Sequence, residues 1–170
     1  MSILVAGIGN IFLGDDAFGV EVAHALQRRR LPEGLVVKDF GIRGFDLAYT
    51  LLDPWDAVIL VDAMARGHAP GTLSLLEPAL EKSDTALNPH GMDPVQVLHL
   101  ATSLGKISAQ VLVVGCEPHD FGDEVEGRMG LSTPVQAAVE AAADLIMELT
   151  TTGEVKLCTR KSLLAHSACY

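Results

Sequence analysis

Three places in the sequence carry side chains that could do acid–base or metal chemistry. Asp15 and Asp16 follow the first apolar run and its Gly-Ile-Gly-Asn turn, Asp62 directly follows the third apolar run, and His90 lies in an Asn-Pro-His-Gly segment. A carboxylate at the end of a buried strand is costly unless it is paired or coordinates a cation. Two carboxylates and one imidazole can bind Zn²⁺ or Ni²⁺ with coordination positions left open. Asp16, Asp62 and His90 are therefore candidate metal ligands.

Each of these residues also has a structural interpretation. Acidic residues suit a helix N-terminus, so one of Asp15 and Asp16 is expected to cap the following helix while the other faces a crevice. Asp62 could form a turn or cap a helix, and His90 could be an ordinary surface histidine. The functional interpretation requires that Asp16, Asp62 and His90 reach the same edge of one sheet.

The elements that would position them alternate between strand and helix patterns, which predicts an α/β fold. Apolar runs predict strands at Ile3–Ala6, Leu35–Phe40, Ala57–Val61 and Gln110–Val114, and a shorter strand at Gly71–Leu76 that could be antiparallel. Helical patterns cover Asp16–Arg28, Gly44–Leu52 and Pro94–Leu104, and a last helix is expected to start from a capping box of Thr133 and Gln136. We expect a three-layer α/β/α sandwich around a mainly parallel, five-stranded twisted sheet. In such sheets, functional residues gather beyond the carboxyl ends of the strands.

Composition narrows the function classes. Residues 1–150 are expected to form one domain, and residues 151–170 a basic tail on an acidic body. A net charge of −10 argues against general nucleic-acid binding. No apolar run approaches the roughly 18 residues of a membrane span, and no signal-peptide pattern stands at the N-terminus. We therefore expect a cytoplasmic protein with no nucleic-acid or membrane partner.

The cysteines do not indicate a disulfide-rich protein. Three cysteines without CxxC spacing argue against a disulfide framework, and Cys116 is expected in the core.

Other catalytic and binding signatures are missing from the sequence. It contains no Gly-x-Ser-x-Gly elbow, no His-Glu-x-x-His pair and no Walker sequence. Gly7, Gly9 and Gly14 lack the GxGxxG spacing, and two carboxylates stand where a dinucleotide-binding turn would receive phosphate. The residues alone thus indicate an α/β domain with an acidic crevice.

The motifs together resemble those of the nickel–iron hydrogenase maturation proteases. The resemblance spans about residues 2–150. In chain order it rests on Gly-Ile-Gly-Asn at 7–10, Gly-Asp-Asp-Ala-Phe-Gly at 14–19, Asp-Phe-Gly-Ile-Arg-Gly at 39–44, Val-Asp-Ala at 61–63, Pro-His at 89–90, Gly-Cys-Glu-Pro at 115–118 and Gly-Leu-Ser-Thr-Pro at 130–134. Phe40, Ile42 and Cys116 depart from the residues typical of that family.

The resemblance implies an endopeptidase that removes the C-terminal extension of a hydrogenase large-subunit precursor after nickel insertion. It also implies that Asp16, Asp62 and His90 contact nickel supplied by the substrate. We further expect that no organic cofactor is used and that the protein acts as a monomer. Asp39 joins these three residues as a candidate catalytic group, and the identity of the general base stays open among Asp16, Asp62 and Asp39. Two other interpretations are a non-catalytic, metal-sensing chaperone of the same precursor and a Rossmann-like small-molecule-binding domain.

Overall fold

Three strands made largely of apolar residues form the centre of the sheet. β1 (Ile3–Ile8), β3 (Ala57–Ala63) and β5 (Gln110–Cys116) are almost wholly buried, as strands covered on both faces require. The half-buried β2 (Leu35–Gly41) and β4 (Leu73–Leu76) complete the order β2-β1-β3-β5-β4. All pairs are parallel except β4 with β5, which is antiparallel. The computed structural model describes residues 1–78, 93–122 and 126–152.

Helices cover both faces of this sheet. α1 (Phe18–Gln27) and α4 (Thr133–Thr152) pack against one face, and α2 (Gly44–Thr50) and α3 (Pro94–Leu104) against the other. Each layer has its own apolar core, so the predicted α/β/α sandwich with a mainly parallel five-stranded sheet is confirmed. Within the described ranges no helix combines the length and apolarity needed to cross a bilayer.

Several predicted boundaries shift by a few residues. β3 continues to Ala63, so Asp62 lies inside the strand rather than after it. A 3-10 turn, Gly14–Ala17, precedes α1, which begins at Phe18 instead of Asp16. The capping box predicted for α4 is wrong, because Thr133 is already helical and the carbonyl of Ser132 accepts from the Gln136 N–H at 2.8 Å. α4 also passes the expected domain end at residue 150, and the expected tail from residue 153 onwards lies outside the described residues.

The order of the strands creates a crevice between β1 and β3. The chain leaves β1 for β2 on one side and then returns to β3 on the other side of β1. Loops that follow neighbouring strands diverge at such a switch point and leave an open crevice beyond the carboxyl ends. Asp16 and Asp62 belong to the two elements that border this crevice.

The backbone at the start of α1 packs directly against the ends of β1 and β3. A Cβ at position 19 would lie 2.1 Å from the carbonyl oxygen of Val61 and 2.4 Å from that of Ile8. A Cβ at position 7 would lie 2.3 Å from the carbonyl oxygen of Gly19. Glycine at both positions therefore allows the helix to begin beside the ends of β1 and β3.

We predict that Gly19→Ala lowers the free energy of unfolding by about 3 kcal/mol, because the added methyl meets rigid backbone rather than a movable side chain. Gly105→Ala is the matched control, since its Cβ would first meet the side chain of Leu52, at 3.2 Å. Urea unfolding of both variants measures the difference. Equal stability of the two variants would contradict the proposed backbone contact.

Candidate active site

Asp62 is the most unusual carboxyl group of the crevice. Its residue is only 4 % exposed, and alternation along β3 places its side chain on the α2–α3 side, with Val58 and Leu60. One carboxylate oxygen accepts a 2.9 Å hydrogen bond from the Ala63 N–H. Burial raises the pKa of Asp62 well above its ordinary value, and the charges of Asp16 and Asp93 raise it further.

Asp16 lies in the turn before α1, and its charge acts on Asp62. Its carboxylate accepts a 2.7 Å hydrogen bond from the Asn10 N–H, which lowers its pKa, but the larger effect of burial leaves that pKa raised. Two nearby carboxylates disfavour each other's ionised form, and a cation between them removes that repulsion. The structure thus brings together two of the three predicted metal ligands.

The third predicted ligand, His90, lies outside the described residues. The described parts of the chain contain no group of three His, Cys, Asp or Glu side chains arranged to hold a metal ion. Asp93, which the sequence analysis did not select, is the first described residue after that gap. Its carboxylate caps α3 by accepting from the Gln96 N–H at 2.8 Å, and it also acts on Asp62. An Asp-Pro pair before an apolar helix was the only sequence signal for this position.

Asp39 faces the other side of the sheet. It lies at the end of β2 opposite Gly7, and its carboxylate is 3.3 Å from the Nε2 atom of His24 on α1. It is not among the groups that shift the pKa of Asp62. The Asp39 side chain thus has a histidine partner on α1, whereas Asp62 lies on the α2–α3 side of the sheet.

Asp15 is fully buried, and the expectation that one of Asp15 and Asp16 caps the following helix is wrong. Neither the 3-10 turn nor α1 has a side-chain cap. One oxygen of Asp15 accepts from the His119 and Asp120 N–H groups at 2.8 and 3.0 Å and from the Ser132 hydroxyl at 2.9 Å, and the other accepts from the Ser132 N–H at 2.6 Å. Burial alone would raise the pKa of Asp15, but these hydrogen bonds outweigh it and leave the pKa lowered.

Cys116 does not supply a nucleophile at neutral pH. The prediction that it belongs to the core is confirmed. Burial, together with the charges of Asp15 and Glu117, raises the pKa of its thiol to about 12. Cysteine proteases react through a thiolate of lowered pKa, so this thiol has the opposite electrostatic environment.

The glycine turn after β1 is not built to receive a phosphate. The Asn10 N–H, which could otherwise donate to a phosphate, donates to the carboxylate of Asp16. A Cβ at position 9 would lie 1.8 Å from the carbonyl oxygen of Asp16, so the Asp16 backbone packs directly over this glycine. Both contacts disfavour the Rossmann-like interpretation.

Comparison with known proteins decides the family. Residues 20–149 match the family model described as hydrogenase maturation protease. The hydrogenase 2 maturation protease of Escherichia coli strain K12 is 30% identical over 169 residues, which cover 96% of this chain and 99% of that protein. The chain belongs to the hydrogenase maturation protease family. The resemblance noted in the sequence is therefore confirmed.

Solved structures of similar proteins share the fold. A hydrogenase maturating endopeptidase from E. coli superposes with a TM-score of 0.70 at 27% identity and covers 90% of this chain and 94% of its own. A hydrogenase 2 maturation peptidase from Thaumarchaeota archaeon SCGC_AB-539-E09 has a TM-score of 0.66 at 29% identity, with 90% and 99% of the two chains covered. The hydrogenase maturation protease fold thus accounts for nearly the whole chain.

In this member of the hydrogenase maturation proteases, we predict that Asp62→Asn raises thermal stability at neutral pH. A carboxyl with a raised folded-state pKa binds its proton more tightly in the folded protein, so its ionisation lowers stability as the pH rises from about 4 towards that raised value. The amide removes this loss and keeps the acceptor for the Ala63 N–H. The melting temperature should exceed that of the wild type by several degrees at neutral pH, and by little below about pH 4. A difference in melting temperature between variant and wild type that stays the same at all pH values would contradict a raised pKa of Asp62 in the folded protein.

Asp15→Asn should have the opposite effect, lowering the free energy of unfolding by at least about 3 kcal/mol at neutral pH, because it replaces a buried, hydrogen-bonded carboxylate. A carboxyl with a lowered folded-state pKa stabilises the protein above its unfolded pKa of about 4 and loses that contribution as the pH falls through the folded value. Denaturant unfolding should therefore show the gap between wild type and variant narrowing in acid. Asp53→Asn, at an exposed position, is the control and should change stability little.

Proposed function

We propose that this protein is an endopeptidase that removes the C-terminal extension of a hydrogenase large-subunit precursor once nickel has been inserted. The observation that carries the proposal is the buried Asp62 at the crevice, whose pKa is raised well above its ordinary value by burial and by the charge of Asp16. Within the described residues no lysine, arginine or histidine forms an ion pair with either carboxylate. Such a site is completed by a cation that arrives with the substrate.

Nickel in the precursor would provide that cation. A divalent ion between Asp16 and Asp62 favours the ionised form of both side chains and offsets the unfavourable burial of Asp62. His90 is the proposed third contact, because it precedes Asp93 by three residues and three residues of extended chain span only about 10 Å. Imidazole and carboxylate ligands suit Ni²⁺. Precursor without nickel would leave the carboxylates uncompensated, which gives a physical basis for selecting the loaded form.

Hydrolysis then requires a base for the attacking water. We assign this role to Asp62, because the nickel keeps its carboxylate ionised and therefore able to accept a proton. Asp39 is less suited because it faces α1 and pairs with His24. Water would add its oxygen to the scissile carbonyl carbon and give one proton to Asp62. That proton would pass to the leaving amine as the carbon–nitrogen bond breaks, which yields a free amine and a new C-terminal carboxylic acid that then ionises to the carboxylate.

The test compares nickel-loaded with nickel-free precursor, with the product mass as readout. We expect wild-type protein to shorten only the loaded precursor. Asp62→Asn and His90→Ala should each lower kcat/KM by about a thousandfold or more, as expected for the loss of a base or a metal contact. His68→Ala, at an exposed position, is the histidine control and should keep the wild-type rate.

Thermal melting of the same variants separates loss of activity from loss of folding. A folded His90→Ala protein that cleaves at the wild-type rate would contradict the proposed third contact. Wild-type protein that binds the loaded precursor without shortening it would instead favour the chaperone interpretation.

A further inference from the structure

Four exposed apolar side chains border the acidic pair on the side of the turn after β1. They are Ile11, Phe12, Phe121 and Met129, which are 38, 58, 38 and 69% exposed. We call this set the apolar rim. Exposed apolar residues are common when they are scattered singly, but adjacent ones mark interaction sites.

Backbone contacts join the loops that carry the rim. The Arg128 N–H donates to the Phe12 carbonyl at 2.7 Å, and the Gly14 N–H donates to the Arg128 carbonyl at 2.7 Å. A Cβ at position 122, next to Phe121, would lie 3.2 Å from the Cβ of Arg128. The loops after β1 and β5 therefore form one surface, and the rim is a patch rather than a set of separate side chains.

The rim is continuous with the acidic pair. The Phe12 N–H donates to the Asn10 side chain at 3.0 Å, and the Asn10 N–H donates to Asp16 at 2.7 Å. The Asp16 N–H in turn donates to the Leu13 carbonyl at 3.1 Å. Hydrogen bonds thus link the turn that carries Ile11 and Phe12 directly to Asp16.

The described part of these loops contains one ion pair and one buried carboxylate. Arg128 and Asp120 form a 2.7 Å ion pair, and the carboxylate of Asp15 is buried beneath them. The hydrogen bonds of Asp15 to His119, Asp120 and Ser132 also fix the loops before any partner arrives. A prearranged surface of this kind binds without the entropy loss of ordering its own loops, and its exposed apolar side chains favour apolar contacts with a partner.

We infer that the apolar rim docks an apolar, extended segment of the precursor next to the scissile bond. This inference rests on the proposed function, because the rim adjoins the carboxylates assigned there to the substrate's metal. A peptide that crosses the rim would enter the crevice with its scissile bond near Asp16 and Asp62. The rim would then set affinity and cleavage position, while the carboxylates act on the bond itself.

Binding of purified nickel-loaded precursor, followed by fluorescence anisotropy, tests the inference independently of cleavage. Phe12→Ser and Met129→Ser should each raise Kd about tenfold, the usual effect of removing an apolar contact from an interface. Phe12→Leu and Met129→Leu keep apolar area and should bind like the wild type. Leu104→Ser is the matched control, because Leu104 is 45% exposed at the far end of α3. In cleavage assays the serine variants should raise KM and leave kcat within about twofold, as expected for uniform binding.

The outcomes separate the inference from the proposed function. Weakened binding by the rim variants supports the rim whether or not the wild type shortens the precursor. If the wild type cleaves the precursor while the serine variants bind it as tightly as Leu104→Ser, the docking role of the rim is contradicted and the endopeptidase proposal is retained. If the wild type neither binds nor cleaves the precursor, both are overturned. Melting temperatures equal to that of the wild type establish that the serine variants are folded.

Discussion

A single buried carboxylate, that of Asp15, holds together the end of the molecule where the crevice lies. It accepts hydrogen bonds from the loop after β5 and from the residue before α4, and it belongs to the turn after β1. An ionised group without water is stable only when its lone pairs are occupied, and here backbone N–H groups and one hydroxyl occupy them. The positions of Asp16 and of the apolar rim follow from this arrangement.

The carboxylates of this region differ in pKa because they differ in the number of hydrogen-bond donors around them. Asp15 and Asp16 are adjacent in the chain, yet the pKa of Asp15 is lowered by its donors and that of Asp16 is raised by burial. Asp62 is still more extreme, with one described backbone donor and two carboxylates nearby. Burying a carboxylate with few donors lowers folding stability, and in the proposed function a cation that arrives with the substrate offsets this cost.

Prediction from the sequence succeeded where apolar periodicity decides structure. The strands, the layers and the proximity of Asp16 to Asp62 follow from buried runs and from the geometry of parallel sheets. Prediction failed where a single long-range hydrogen bond or ion pair determines the position and partner of a side chain. Nothing local in the sequence shows that Asp15 binds residues more than a hundred positions away, or that Asp39 pairs with His24. The role of His90 stays a prediction, because it lies outside the described residues.

The buried thiol of Cys116 makes this end of the sheet chemically observable. Cys116 lies on the face of the sheet that α1 and α4 cover, so this helical layer must open before a reagent can reach its sulfur. Its raised pKa further slows reaction while this layer stays closed. The rate of alkylation at Cys116 therefore reports how often the core opens locally at this end of the sheet. The loop that donates hydrogen bonds to Asp15 begins only a few residues further along the chain, so the same measurement shows how firmly that loop is held.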